Sequence, residues 1–164
     1  MPFAGSVDSP PPPLTAQQRC PNPFAARQAV KALDTKVLAR FFVDDADDAL
    51  AAKQRPAAVA ALVERSCVSV SALLELEWVM RGFYGLPTRD ISRVLRALAS
   101  IEHITLEDRD AVLVAVDGFD KGLDFAAALH LARSSRSPGF ATFDQRLAKR
   151  AKALGLMPPV AWLV

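Results

Sequence analysis

The residues of this chain best suited to chemistry are acids that follow apolar runs. In residues 30–45, VKALDTKVLARFFVDD, the run through Val30, Ala32 and Leu33 stops on Asp34, and Val37, Leu38, Phe41 and Phe42 then recur at helical spacing. The run at 140–143 stops in the same way on Asp144, Glu75 follows the apolar stretch 67–70 by about one helical turn, and Asp124 opens the apolar segment DFAAALHLARSS. Right-handed crossovers in a parallel sheet would bring the ends of the first and fourth strands to one edge, with Glu75 and Asp124 able to lean toward it. Converging carboxylates raise one another's pKa unless a cation neutralises them. A hard divalent ion, Mg2+ or Mn2+, does so through oxygen ligands, activates water and stabilises charge on a phosphodiester. Acids without His or Cys beside them argue against zinc. Asp34 taken by itself has a second reading, a helix cap, which needs no ligand.

The elements that must position these acids alternate along the chain. A helix over 35–43 follows Asp34, and the cluster Asp44, Asp45, Asp47 and Asp48 suits the positive N-terminal dipole of a second helix. Pro56 is expected to kink or restart that helix. A strand over 67–70 leads to Ser71, the expected cap of a helix that stops at Gly85 with Pro87 beyond it. Thr88 is expected to cap the next helix, whose Ile91, Val94, Leu95 and Leu98 form an apolar stripe. A strand over 104–106, a helix over 107–121 ended by Gly122, the helix after Asp124, a strand over 140–143 and the helix DQRLAKRAKAL follow. MPPVAWLV closes the chain as an edge strand with prolines at its start. Strands alternating with helices predict a parallel sheet layered between helices.

A length of 164 residues corresponds to about one domain with a substantial core. The net charge of +2 excludes strong global attraction to nucleic acid, so any such contact needs a local basic patch. Cys20 and Cys67 form neither a metal motif nor a disulfide framework, which fits a reducing cytosol. No apolar run approaches the roughly 18 residues of a membrane span. No charged segment followed by an apolar one marks a signal peptide, so a cytoplasmic location is expected. Residues 1–29 carry Pro2, Pro10 to Pro13, Pro21 and Pro23 and read as an extended or disordered leader, with 30–164 as the folded domain.

The pieces ALDTKVLARFFVDD, VSVSALLELEWVMRGFYGL, GLDFAAALHLARSS and FATFDQRLAKRAK, in this order, resemble a PIN domain of the VapC toxin type, from about Lys31 to the C-terminus. The resemblance implies a three-layer α/β/α fold around a central, mostly parallel sheet of four to five strands, the first and fourth adjacent. It implies a Mg2+- or Mn2+-dependent endoribonuclease, the toxin of a type II toxin–antitoxin pair. It also implies a homodimer neutralised by a VapB-like antitoxin. The family's acids fall on Asp34, Glu75 and Asp144, and Thr142 is similar to a hydroxyl residue that supports the site. Two positions depart from the pattern: Ala127 stands where the family has Asp, and Lys36 where it has Asn. Ala127 offers no ligand oxygen and Lys36 adds a competing ammonium, so both weaken metal binding; Asp124, three residues before Ala127, shares its helix face and partly substitutes. A catalytically silent relative that acts by binding an antitoxin or RNA is the competing reading.

Arg146, Lys149, Arg150 and Lys152 make the helix after Asp144 basic. They read either as a solvated face whose cations suit the helix C-terminus or as an RNA-phosphate track extended by Arg40, Arg81 and Arg93. Glu77 is expected to be solvated, His130 to lie in the core or an interface, His103 at the surface, and Trp78, Phe83 and Tyr84 in the core or a dimer interface. Deleting residues 1–28 is expected to leave the melting temperature nearly unchanged; a loss of several degrees in a thermal melt would show that the leader packs on the domain.

Overall fold

The computed structural model describes residues 30–45 and 47–164, so the expectation for the proline-rich leader lies outside the described residues. Along the chain run β1 (Lys31–Ala32), α1 (Thr35–Phe42), α2 (Ala49–Val63), β2 (Ser66–Val68), α3 (Val70–Gly82), α4 (Thr88–Ser100) and β3 (Ile104–Leu106). They are followed by α5 (Arg109–Asp120), α6 (Phe125–Arg133), β4 (Phe140–Thr142), α7 (Gln145–Ala153) and β5 (Val160–Trp162). The fold is α/β, and every strand pair is parallel, as the alternating pattern predicts. None of the described helices is long and apolar enough to cross a membrane.

The pairing departs from the expected single sheet. β1, β2 and β3 form one three-stranded sheet with β2 central and fully buried, while β4 and β5 form a second, two-stranded one. The first and fourth strands, expected as neighbours, share no ladder among the described residues. β1 offers only Lys31 and Ala32 to a ladder, and both pair with β2, opposite Ser66 and Cys67.

Helices cover this framework through apolar stripes. Ile91, Leu95 and Leu98 of α4 are fully buried, with Val94 half-buried beside them, so the predicted stripe is the packed face. Leu73, Leu76 and Met80 of α3, Val112 and Val116 of α5, and Phe125 and Leu129 of α6 complete the core. Phe119 and Phe125 meet edge to face across the α5–α6 contact with ring centroids 5.8 Å apart, a favoured aromatic geometry.

Helix ends differ from expectation in instructive ways. The strand before α3 stops at Val68, and Ser69 rather than Ser71 is the cap, accepting from Ala72 N at 3.2 Å. Ser71 already lies in the helix, its hydroxyl 2.8 Å from that of Ser69. Pro87 is the cap residue of α4 and Thr88 the first helical one, with no side-chain cap bond. Pro56 neither breaks nor restarts α2, which runs through it and forgoes one backbone donor.

Arg40 fastens α1 to its neighbours. Its guanidinium donates to Asp48 Oδ2 at 2.9 Å, Gln54 Oε1 at 3.3 Å and the Tyr84 hydroxyl at 3.1 Å. Asp48 caps α2, and the Ala51 N–H it accepts is the largest cause holding its carboxyl below the ordinary 3.8, with Leu50 and Arg40 adding to the effect against partial desolvation. A depressed carboxyl stabilises the fold above its unfolded pKa and loses that contribution as pH falls through the folded value. Asp48→Asn, which keeps a capping amide and removes the charge, should therefore lower the melting temperature at neutral pH. The gap from wild type should close as pH falls below about 3.8, and a gap independent of pH in parallel thermal melts would refute this account.

Candidate functional site

Three of the candidate acids begin their helices. Asp34 Oδ2 accepts from Lys36 N at 3.3 Å, Asp124 Oδ1 from Ala127 N at 3.0 Å, and Asp144 Oδ1 from Leu147 N at 2.9 Å. Each bond satisfies one of the orphan donors of a first helical turn. The capping reading thus holds for all three, and in each the second carboxylate oxygen has no hydrogen-bond partner among the described residues. Thr142 acts on Asp144 through the backbone: its Oγ1 accepts from Asp144 N at 3.0 Å, fixing the turn between β4 and α7.

Glu75 is held by a residue that sequence reasoning passed over. The hydroxyl of buried Thr35, next to Asp34, donates to Glu75 Oε2 at 2.6 Å and so ties the start of α1 to the second turn of α3. Asp34 and Glu75 therefore belong to one neighbourhood. Asp124 and Asp144 belong to another, an open cleft of about 280 Å³ shared with Gly122, Ala127, Arg146 and Arg150. Neither Asp34 nor Glu75 lines that cleft.

The donor set suits a hard cation in kind, since every candidate oxygen is a carboxylate. It falls short in number, because no three or more Asp, Glu, His or Cys of the described residues group closely enough to hold a metal ion. Ala127 lines the cleft with a methyl group, which offers no ligand oxygen. A fifth acid, Glu107, follows β3, but its oxygens are committed to Val70 N at 2.9 Å and Arg133 Nη2 at 3.3 Å. The Cys67 thiol is buried and pushed up by that burial, so it is no nucleophile.

Several expected side-chain settings are corrected. Glu77 is buried rather than solvated, because it lies on the face of α3 that carries Leu73 and Met80, and it accepts from Arg81 Nε at 2.6 Å. That bond raises the Arg81 guanidinium above its ordinary value, and the charge of Asp124 adds a smaller push. His130 is exposed on α6 and so lies outside the core. His103 is at the surface as expected, its Nε2 2.6 Å from Leu62 O. Trp78 and Phe83 are 62% and 74% exposed and so lie outside the core.

The basic residues divide by whether their charge is already engaged. Arg40 is held by Asp48, Arg81 by Glu77 and Arg93 by Asp90, so these three do not offer free donors to a phosphate track. Arg146 and Arg150 line the cleft, and exposed Lys149 stands between them on α7 without lining it. None of those three has an ion pair or side-chain hydrogen bond among the described residues. Comparison with family models, with curated proteins and with solved structures gives no match to this chain.

Thr35→Val keeps the shape of the buried side chain and removes the donor to Glu75. It should cost about 1–2 kcal/mol, read as a lower denaturation midpoint with an unchanged slope; an unchanged midpoint would show that the bond does not hold the two helices together.

Proposed function

We propose that the chain is a PIN-type endoribonuclease dependent on Mg2+ or Mn2+, the toxin of a type II toxin–antitoxin pair, with activity weakened by Ala127 and Lys36. The observation that carries the reading is the cleft in which Asp124 and Asp144, each oriented by a backbone cap bond, face Arg146 and Arg150. Asp34 at the end of β1 and Glu75, tied to it through Thr35, give the reading its remaining acids. A three-layer α/β/α arrangement of the helices about these parallel strands belongs to the same proposal.

When bound, the cation supplies positive charge against a phosphodiester and lowers the pKa of water. The chain's own residues do the rest. Thr35 holds the Glu75 carboxylate, Thr142 fixes the Asp144 turn, and Arg146, Lys149 and Arg150 attract the RNA backbone. The exposed rings of Trp78 and Phe83 support an interface, in this reading with a second copy of the chain or with a VapB-like antitoxin.

The second reading is a catalytically silent PIN fold that acts by binding an antitoxin or RNA. It is favoured by the Ala127 methyl in the cleft and by the absence of a third acid there among the described residues. Ala127→Asp combined with Lys36→Asn separates the two. The double variant should bind Mn2+ more tightly by calorimetry and cleave a structured RNA faster than the parent. No gain in either measurement would overturn the site assignment.

A further inference from the structure

Resting on the RNA reading, we propose that Arg150 is a phosphate-binding residue that grips the RNA backbone without any metal, and that Gly122 sets its position. Gly122 ends the turn after α5 with φ +84, a left-handed conformation, and donates its N–H to Phe119 O at 2.9 Å. A Cβ at this position would stand 2.5 Å from an Arg150 terminal nitrogen and 3.2 Å from Cζ. The missing side chain is therefore the space into which the guanidinium fits. A glycine here serves both the backbone turn and the close approach of the arginine.

The guanidinium so placed lines the cleft with Arg146, Asp124 and Asp144. No ion pair or hydrogen bond among the described residues consumes its donors, in contrast to Arg40, Arg81 and Arg93, each committed to an acid. Asp124 and Asp144 spend one oxygen each on a helix cap and do not bridge to Arg150. A planar guanidinium with free donors matches the paired oxygens of a phosphodiester. Arg146, four residues earlier on α7, lies on the same helix face and adds a second positive charge along the cleft. The two cations balance the two carboxylates, so an incoming backbone phosphate adds an anion to a neutral cleft rather than to a negative one.

The test measures binding of a fluorescently labelled single-stranded RNA to the full chain by anisotropy in EDTA over a series of salt concentrations. Arg150→Ala should weaken binding roughly tenfold at low salt and reduce the slope of log affinity against log salt by about 0.7. Arg150→Lys keeps the charge but loses the fork and should fall between the two. Gly122→Ala should weaken binding several-fold with both arginines present, because the flexible guanidinium is the group that gives way to the new methyl. Gly155→Ala is the control: Gly155 also has a left-handed φ of +62, with nothing within 4 Å of the added carbon, so it carries the same backbone strain and should bind as wild type. A methylphosphonate oligonucleotide of the same sequence should lose the dependence on Arg150.

Wild-type affinity and salt slope in Arg150→Ala overturn the proposal, as does methylphosphonate binding that still depends on Arg150. Wild-type affinity in a folded Gly122→Ala overturns the positioning role; if that variant does not fold, parity of Arg150→Lys with wild type overturns the fork. Because EDTA excludes metal-dependent turnover, failed cleavage in Mn2+ with Arg150-dependent binding intact sinks only the nuclease reading. Cleavage with no effect of Arg150→Ala sinks only this one.

Discussion

The structure depends throughout on how the first turns of its helices are satisfied. A helix begins with backbone N–H groups that have no partner inside it, and here Asp34, Asp48, Ser69, Asp124 and Asp144 supply acceptors at those points. The same requirement decides where the acids stand. A cap residue has extended backbone and sits where the chain turns into a helix, so a carboxylate used as a cap is delivered to the rim of the fold with its orientation fixed by the backbone. Cap and ligand are then compatible roles. A carboxylate has two oxygens, the cap bond uses one, and the dipole of the helix behind it stabilises the charge that the second would offer to a cation or a solvent network.

Periodicity made most of the fold legible. The apolar spacing in α1, α4, α6 and α7 marked helices that the structure contains, and the short β-branched or aromatic runs marked β2, β3 and β4. Errors arose where two local solutions have nearly the same sequence signature. Ser69 and Ser71 can each cap a helix, and the choice falls to Ser69 because Glu107 from β3's far end takes Val70 N and fixes the first turn there. Glu77, two residues after Glu75, does point to another side of the helix, but that side is the buried one. Its spacing from Leu73 and Met80 puts it on the buried face, and Arg81 four residues on is the partner that makes burial tolerable; both signals lie within one helix.

Other features had no local signature. The Thr35–Glu75 bond joins residues 40 apart in sequence, and the fit of Arg150 to Gly122 joins a turn to a helix that begins beyond β4. Thr35 in isolation is an ordinary first-turn residue, and Gly122 an ordinary helix stop. Only the packing of α1 on α3, and of α7 beside the α5–α6 turn, gives them partners. Sheet pairing was illegible for a related reason. Strands of two or three residues carry little side-chain pattern, so which of them share a ladder is decided by the helices that pack around them.

The charge balance of the cleft sets what it can hold. Charges interact more strongly at a protein surface than in bulk water, so the cations beside Asp124 and Asp144 bear on what the cleft admits. Arg81 already acts on the Asp124 side, its own charge anchored by buried Glu77, and Arg146 and Arg150 face the cleft from α7. Protein cations therefore supply part of the neutralisation that a metal ion would otherwise provide, and Ala127 adds no carboxylate that would demand more. Each acid exchanged for a neutral side chain lowers the advantage of a divalent cation and raises that of an anion held by guanidinium groups. The cleft stands near the balance point between those two uses, and under the proposed function position 127 therefore carries much of the choice between cutting RNA and only binding it.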